Sequence, residues 1–283
     1  MTAVRRSRSF VAPSVLPGFS LTFGYTIFYL SLVVLIPLST LIWRSSSLGL
    51  SGLWSVGAEP RIAAALQTTF LISLAAAVVD VVFGLVVAWA LTRYEFPGRR
   101  LFDAFVDLPF ALPTAVAGIS LAALYAPNGF FGAPLAEHGI KIAYTRWGIF
   151  VALVFIGLPF IVRTVQPIIT ELEAELEEAS ATLGASRLQT VIFVLLPPLV
   201  PALLTGFALA FARAVGEYGS VIFIAGNIAY ISEIAPLLII VKLEQYDYAG
   251  ATGVATIMLA ISFSALLAIN LVQAWSRRRF GHV

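Results

Sequence analysis

The chain has no cysteine among its 283 residues, which excludes disulfides, thiol nucleophiles and cysteine-bound metal. Histidine is nearly missing too, and His138 and His282 stand too far apart in sequence to point to a metal centre. Lysine occurs only as Lys141 and Lys242, followed by Ile142 and Leu243. A phosphate-binding loop needs Gly-x-x-x-x-Gly-Lys and then Ser or Thr, so neither lysine can cradle a nucleotide's phosphates. No serine-elbow or His-Glu-x-x-His pattern occurs either, and no catalytic constellation is left. Charge is scarce, at 11% of residues against about 25% in an average soluble domain. The net charge of +2 offers no nucleic-acid face.

What is abundant is apolar surface, 60% of residues. A helix crossing a hydrocarbon core of about 30 Å needs roughly 20 such residues. Six stretches qualify, at 22–43, 68–92, 104–126, 147–168, 199–223 and 252–275. The first lacks a small-residue cleavage pattern and reads as a permanent anchor rather than a leader. The expected class is an all-α, polytopic membrane protein with six transmembrane helices. It comprises an N-terminal segment (1–21), a membrane domain (22–275) and a basic tail (276–283). Basic residues favour the cytoplasmic side. Arg5, Arg6, Arg8, Arg93, Arg99, Arg100, Arg163, Arg187, Arg277, Arg278 and Arg279 fall on one side, against Arg44, Arg61, Lys141, Arg146 and Lys242 on the other. Both termini and the connection between the fourth and fifth spans are therefore expected in the cytoplasm. The stretch from Ile231 to Tyr248 is too short to span and reads as an interfacial or re-entrant piece outside.

The connection at 170–198 contains "ELEAELEEASATLGASRLQTVIFVLLPP". Thr170 followed by Glu173 fits a capping box, with further glutamates in the favourable first turns of a helix. Ala179, Ser180 and Ala181 give that helix a small-residue patch, and Gly184 suits its left-handed stop. Ser186 can cap a second short helix, and Pro197 with Pro198 predicts a break before the fifth span. A solvated acidic loop is the plain alternative for such a charge run.

Glu178-Ala179-Ser180, then Gly184, Val194 and Leu196-Pro197, resembles the "EAA" motif of bacterial ABC importer permeases, with Ser180 and Val194 as slight departures. "FARAVGEYGSVIFIAGN", "IAPLLIIVKLEQYDYAGAT" and "FDAFVDLPFALPTAVAGISL" are similar to the sulfate, thiosulfate and molybdate branch, with "KLEQYDYAGAT" nearest the T-type sulfate/thiosulfate subunits. The resemblance implies a type I importer permease fold. It makes Glu177, Glu178, Ala179, Ser180, Gly184, Leu196 and Pro197 a coupling element for an ATP-binding subunit present in two copies. It further implies a W-type permease as heterodimer partner, a periplasmic sulfate-binding protein, and placement in the bacterial inner membrane. No cofactor is expected on this chain, since ATP and Mg belong to the ATPase. A molybdate or tungstate permease remains the neighbouring alternative.

Charges inside the spans are the remaining candidates for transport chemistry, because a charge at a helix centre costs about 2.5–3.5 kcal/mol on insertion scales. Asp80 falls in span two, and Arg213 and Glu217 in span five. The i, i+4 spacing of Arg213 and Glu217 favours a structural pair over a free positive field for an anion. Asp80 would repel sulfate, so helix packing or pairing with arginine is the better expectation. Pro109, Pro113 and Pro159 are candidate hinges or static kinks. An ion-coupled secondary carrier titrating Asp80 or Glu217 is the alternative from a different class, against which no repeat between the two halves is visible.

Overall fold

The computed structural model describes residues 18–280, with the side chains of Ser20 and of residues 276–280 left aside. Arg5, Arg6 and Arg8 lie outside the described residues, as do the side chains of Arg277, Arg278 and Arg279. Among the described residues the chain is helical throughout, without strands. It divides into two compact units, residues 1–47 and 48–283.

In the first unit, α1 (Phe19–Leu30) and α2 (Ile36–Ser46) are joined through a π-helical segment at Ser31–Leu35. Together they supply an apolar helical stretch from Leu21 to Ser46, long enough to cross a membrane.

The second unit opens with α3 (Gly49–Ala58) and the long α4 (Pro60–Arg93). At 1.5 Å per residue α4 is roughly 50 Å long, so it exceeds the hydrocarbon thickness and must tilt or protrude. Its first residues lie well before the expected start at 68. The third expected span is not one helix. Its residues fall in three short helices, α5 (Arg99–Val106), α6 (Leu108–Ala111) and α7 (Thr114–Tyr125), of which α7 is the longest apolar one. Leu112 and Pro113 adopt extended backbone between α6 and α7. The residue before a proline is biased away from helical angles, and Pro113 itself fits just before the first turn of α7. Among the described residues, five helical stretches are therefore long and apolar enough to cross a membrane, with α7 as a shorter apolar helix.

After α8 (Gly132–Glu137) comes α9 (Arg146–Glu171), whose start is capped by the Thr145 side chain accepting from Trp147 N at 3.2 Å. The prolines Pro159 and Pro167 are carried inside α9 without ending it. Next come α10 (Ala174–Thr182), α11 (Arg187–Gln189) and α12 (Leu196–Val215). The predicted break at Pro197 and Pro198 does not occur, because a π-helical segment at Thr190–Leu195 runs into α12 and makes Arg187–Val215 one continuous stretch. Prolines lack the N–H that an α-helical ladder would need, and wider π turns accommodate the missing donors. The chain closes with α13 (Val221–Ile224), α14 (Ala235–Glu244) and α15 (Tyr248–Phe280). At ten residues, α14 has the short length expected of a non-spanning piece.

The core of this unit forms where α4, α9 and α12 meet: Ala77, Ala88, Ile161, Val165, Leu199 and Phe211 are buried together. Bilayer lipid is as apolar as these side chains, so close packing rather than water exclusion holds the helices. Glycine provides the closeness. A Cβ on Gly84 would sit 2.6 Å from Ile161 Cβ, and one on Gly206 would reach 3.0 Å from Ile161 Cα.

Candidate coupling element and buried charges

The 170–198 segment is stiffened by hydrogen bonds within the segment itself. Thr170 does not start its helix, which corrects one expectation. It lies in the last turn of α9, and its hydroxyl bonds the Gln166 carbonyl at 2.9 Å. Leu172 and Glu173 instead take extended backbone, and α10 begins at Ala174 without a side-chain cap. The α9 ladder outcompetes the capping arrangement because it satisfies Thr170 in place. At the other end of α10, Gly184 has φ +80°. Its N–H donates to Ala181 O, and that of Ala185 to Ser180 O, both at 3.0 Å. These two bonds form the glycine-closed helix stop that satisfies orphan carbonyls. Ser186 then caps α11 reciprocally with Gln189, giving the bond from Ser186 N to Gln189 Oε1 at 2.8 Å.

The motif's small residues divide between two faces. Ala179 is exposed, whereas Ser180 is buried, its hydroxyl within 2.8 Å of both Glu177 O and Thr190 Oγ1. Ser180 thus clamps α10 to the π segment. Glu178 projects outward, and the turn presents Leu183 and Leu188, which are 88% and 69% exposed. Leu196 and Pro197 are half-buried at the base of α12. Beneath the segment, Arg93 at the end of α4 reaches Glu177 at 3.3 Å, donates to Leu172 O at 3.0 Å and lies 5.3 Å from the centre of the Trp89 ring. The sequence marked Arg93 only as a topological charge. Its bracing role is a long-range contact that no local pattern announces.

Arg213 and Glu217 do meet, at 2.5 Å. Glu217 lies just past the end of α12 rather than within a span, and its other oxygen accepts from Ser220 N at 2.8 Å and Ser220 Oγ at 2.9 Å. A carboxylate so fully engaged fixes the turn after α12. Asp80 is buried between α4 and α9, and neither carboxyl oxygen has a partner among the described residues. No arginine reaches it, so of the two expectations packing remains. A Cβ on Gly157 of α9 would overlap Asp80 Oδ2.

Several ion pairs escaped the sequence reading. Arg61 grips Glu233 with two bonds of 2.8 and 2.7 Å across 172 residues. Arg163 of α9 holds Asp107 at 2.8 and 2.6 Å and Asp103 at 2.7 Å, together with Gln166 at 2.6 Å. This guanidinium holds the Asp103 carboxyl below its ordinary range. Lys242 contacts Asp247 at 3.1 Å, and Asp247 is lowered first by the Gly250 backbone N–H and then by Lys242. Among the described residues no cluster of His, Asp and Glu is arranged to hold a metal ion.

The structure thus defines a bundle of apolar helices long enough to cross a membrane, with an acidic helix-turn-helix between two of them. The overall fold is similar to a chain in the crystal structure of a bacterial alginate ABC transporter with an alginate pentasaccharide-bound periplasmic protein. The TM-score is 0.74 at 16% identity, covering 93% of this chain and 94% of that one. Residues 80–282 match the family described as binding-protein-dependent transport system inner membrane component, and the chain belongs to that family. It is 50% identical to the sulfate transport system permease protein CysT of Salmonella typhimurium, over 95% of this chain and 97% of that protein. The protein of the same description from Synechococcus elongatus is 51% identical over 93% and 94%. The chain is thus an ABC transporter permease of the CysT type.

Proposed function

We propose that this permease carries sulfate and thiosulfate as half of an alternating-access pathway driven by ATP, and that segment 170–198 is where the driving subunit docks. The observation that carries the docking reading is the rigid turn at Leu183-Gly184, with exposed leucines and Glu178 on its outer face and Ser180 and Arg93 bracing it from behind. Apolar anchors ringed by charge are what a protein interface uses, and a stiff element can transmit displacement into α9 and α12. The sulfate assignment leans on the relatives' names and their half-identical sequences. The remaining parts of the proposal are a W-type permease partner, two ATP-binding subunits, an external sulfate-binding protein, and ATP with Mg held on the ATPase. Arginine distribution supports cytoplasmic termini.

The test is labelled-sulfate uptake in vesicles carrying the assembled transporter. Uptake should require the ATPase and survive collapse of ion gradients, with thiosulfate competing better than molybdate. Uptake that persists without the ATPase and disappears with the gradients would establish a secondary carrier instead. Competition led by molybdate would move the substrate to the neighbouring branch.

A further inference from the structure

The short helix α5 has two faces with opposite chemistry. At 3.6 residues per turn, Arg99, Arg100 and Asp103 share one side, and Leu101, Phe102 and Phe105 the other. Arg163 of α9 pins the polar side to the bundle through Asp103 and Asp107. That anchoring turns the apolar side outward, leaving Leu101, Phe102 and Phe105 each at least half exposed. Two cavities flank the helix, both walled in part by Leu91. One, of about 510 Å³, has a mixed lining whose polar part includes Thr92, Arg99, Arg100, Asp103, Arg163 and Gln166. The other, of about 380 Å³, is apolar and is lined by Val87, Phe96, Phe102, Phe105, Val106 and Leu158. Along α9 the first cavity lies at the Arg163–Thr170 end and the apolar one deeper, at Leu158.

Arg163 is already neutralised by two carboxylates, whereas Arg99 and Arg100 enter no ion pair within the described residues. They face the first cavity, at the end of α4 and α9, and the apolar cavity is separate from it but shares Leu91 as a wall. A soluble anion would use the first cavity and leave the second with nothing to fill it. We infer that α5 is an interfacial helix holding one anionic phospholipid, with the phosphate headgroup at Arg99 and Arg100 and an acyl chain along Phe96, Phe102, Phe105 and Leu158. Amphipathic helices with basic polar faces and Leu or Phe opposite bind interfaces in this manner, and basic pockets between membrane helices receive lipid headgroups. The inference is independent of which anion the permease transports.

The test uses the full chain purified in mild detergent, titrated with phosphatidylglycerol or phosphatidylcholine and read by native mass spectrometry. Phosphatidylglycerol should be retained preferentially. Arg99→Gln with Arg100→Gln should weaken its retention about thirtyfold, at the contribution usual for two near-surface arginines. Arg99→Lys with Arg100→Lys should keep most of it, and Lys141→Gln should change nothing. Equal retention of the two lipids by the unaltered chain would overturn the inference whatever the variants do. Unchanged retention in the double glutamine variant, or displacement of the lipid by inorganic phosphate alone, would overturn it as well.

Discussion

Arg163, at the edge of the bundle, meets two carboxylates and an amide with bonds of 2.6–2.8 Å to their side chains, whereas Glu178, fifteen residues further along, projects outward from α10. The bundle and the 170–198 segment thus treat polarity in opposite ways. Within the bundle and at its edges, charges are spent on the chain itself: Arg61 on Glu233, Arg213 on Glu217, Arg163 on Asp103 and Asp107. In the segment, backbone polar groups are satisfied internally while the side chains of Glu178, Leu183 and Leu188 face outward. The bundle closes most of its charges off, and the segment stiffens its backbone and leaves its surface available. Arg99 and Arg100 at the edge stand outside the pattern, and so does Asp80, a buried carboxyl without a partner where Gly157 of α9 packs against α4.

The strongest way to break this comparison is to crowd that contact. Gly157→Val should lower the amount of folded, monodisperse protein severely, since overpacking a tight contact costs about 1–3 kcal/mol before any backbone shift. Asp80→Ala in the same chain should restore part of the loss by removing the carboxyl that the added side chain would strike. Full tolerance of Gly157→Val alone would mean that α4 and α9 are less tightly joined. Next in size, Glu233→Gln should lower thermal stability by roughly 1–3 kcal/mol, because Arg61 loses its charged acceptor in a nearly buried site. An unshifted melting temperature in detergent would remove that pair from the account.

A smaller effect sharpens the contrast from the other side. Arg93→Gln should leave the bundle intact but loosen residues 172–186, a change of about 1 kcal/mol seen as faster hydrogen exchange in that segment alone. Smallest of all is the acid response of Asp103. Its carboxyl in the folded chain is held below the ordinary range, so its stabilisation is complete above the unfolded value and is lost as pH falls through the folded one. Asp103→Asn should therefore flatten part of the stability loss below about pH 4 and forfeit well under 1 kcal/mol at neutral pH, because the pair is partly exposed.

Local chemistry was the legible part. Gly184 and Ser186 could be read from sequence because a left-handed stop and a serine cap depend on residues within one turn. Long apolar runs announced most of the spanning helices for a similar reason. Thr170 was misread because a capping pattern cannot tell whether the preceding helix has already ended. The third span was misread because averaging apolarity over 104–126 hides the proline that separates α6 from α7. Pro197 and Pro198 predicted a stop that π turns remove. The pairs of Arg61 with Glu233 and of Arg163 with Asp103 join residues 172 and 60 positions apart, and nothing local encodes them.

The central claim, that the 170–198 turn couples an ATPase to the bundle, is tested most directly by sulfate uptake in vesicles carrying Gly184→Val or Glu178→Lys in the assembled transporter. Gly184 faces open space, so valine there is opposed only by its positive φ and the bundle should still insert. Membrane abundance should stay near that of the unaltered chain, and so should uptake in a control at α8, Glu137→Lys. Uptake in both test variants should fall tenfold or more, with weaker ATPase co-purification or with ATP hydrolysed without transport. Normal uptake by both would contradict the account and reduce the segment to a solvated loop.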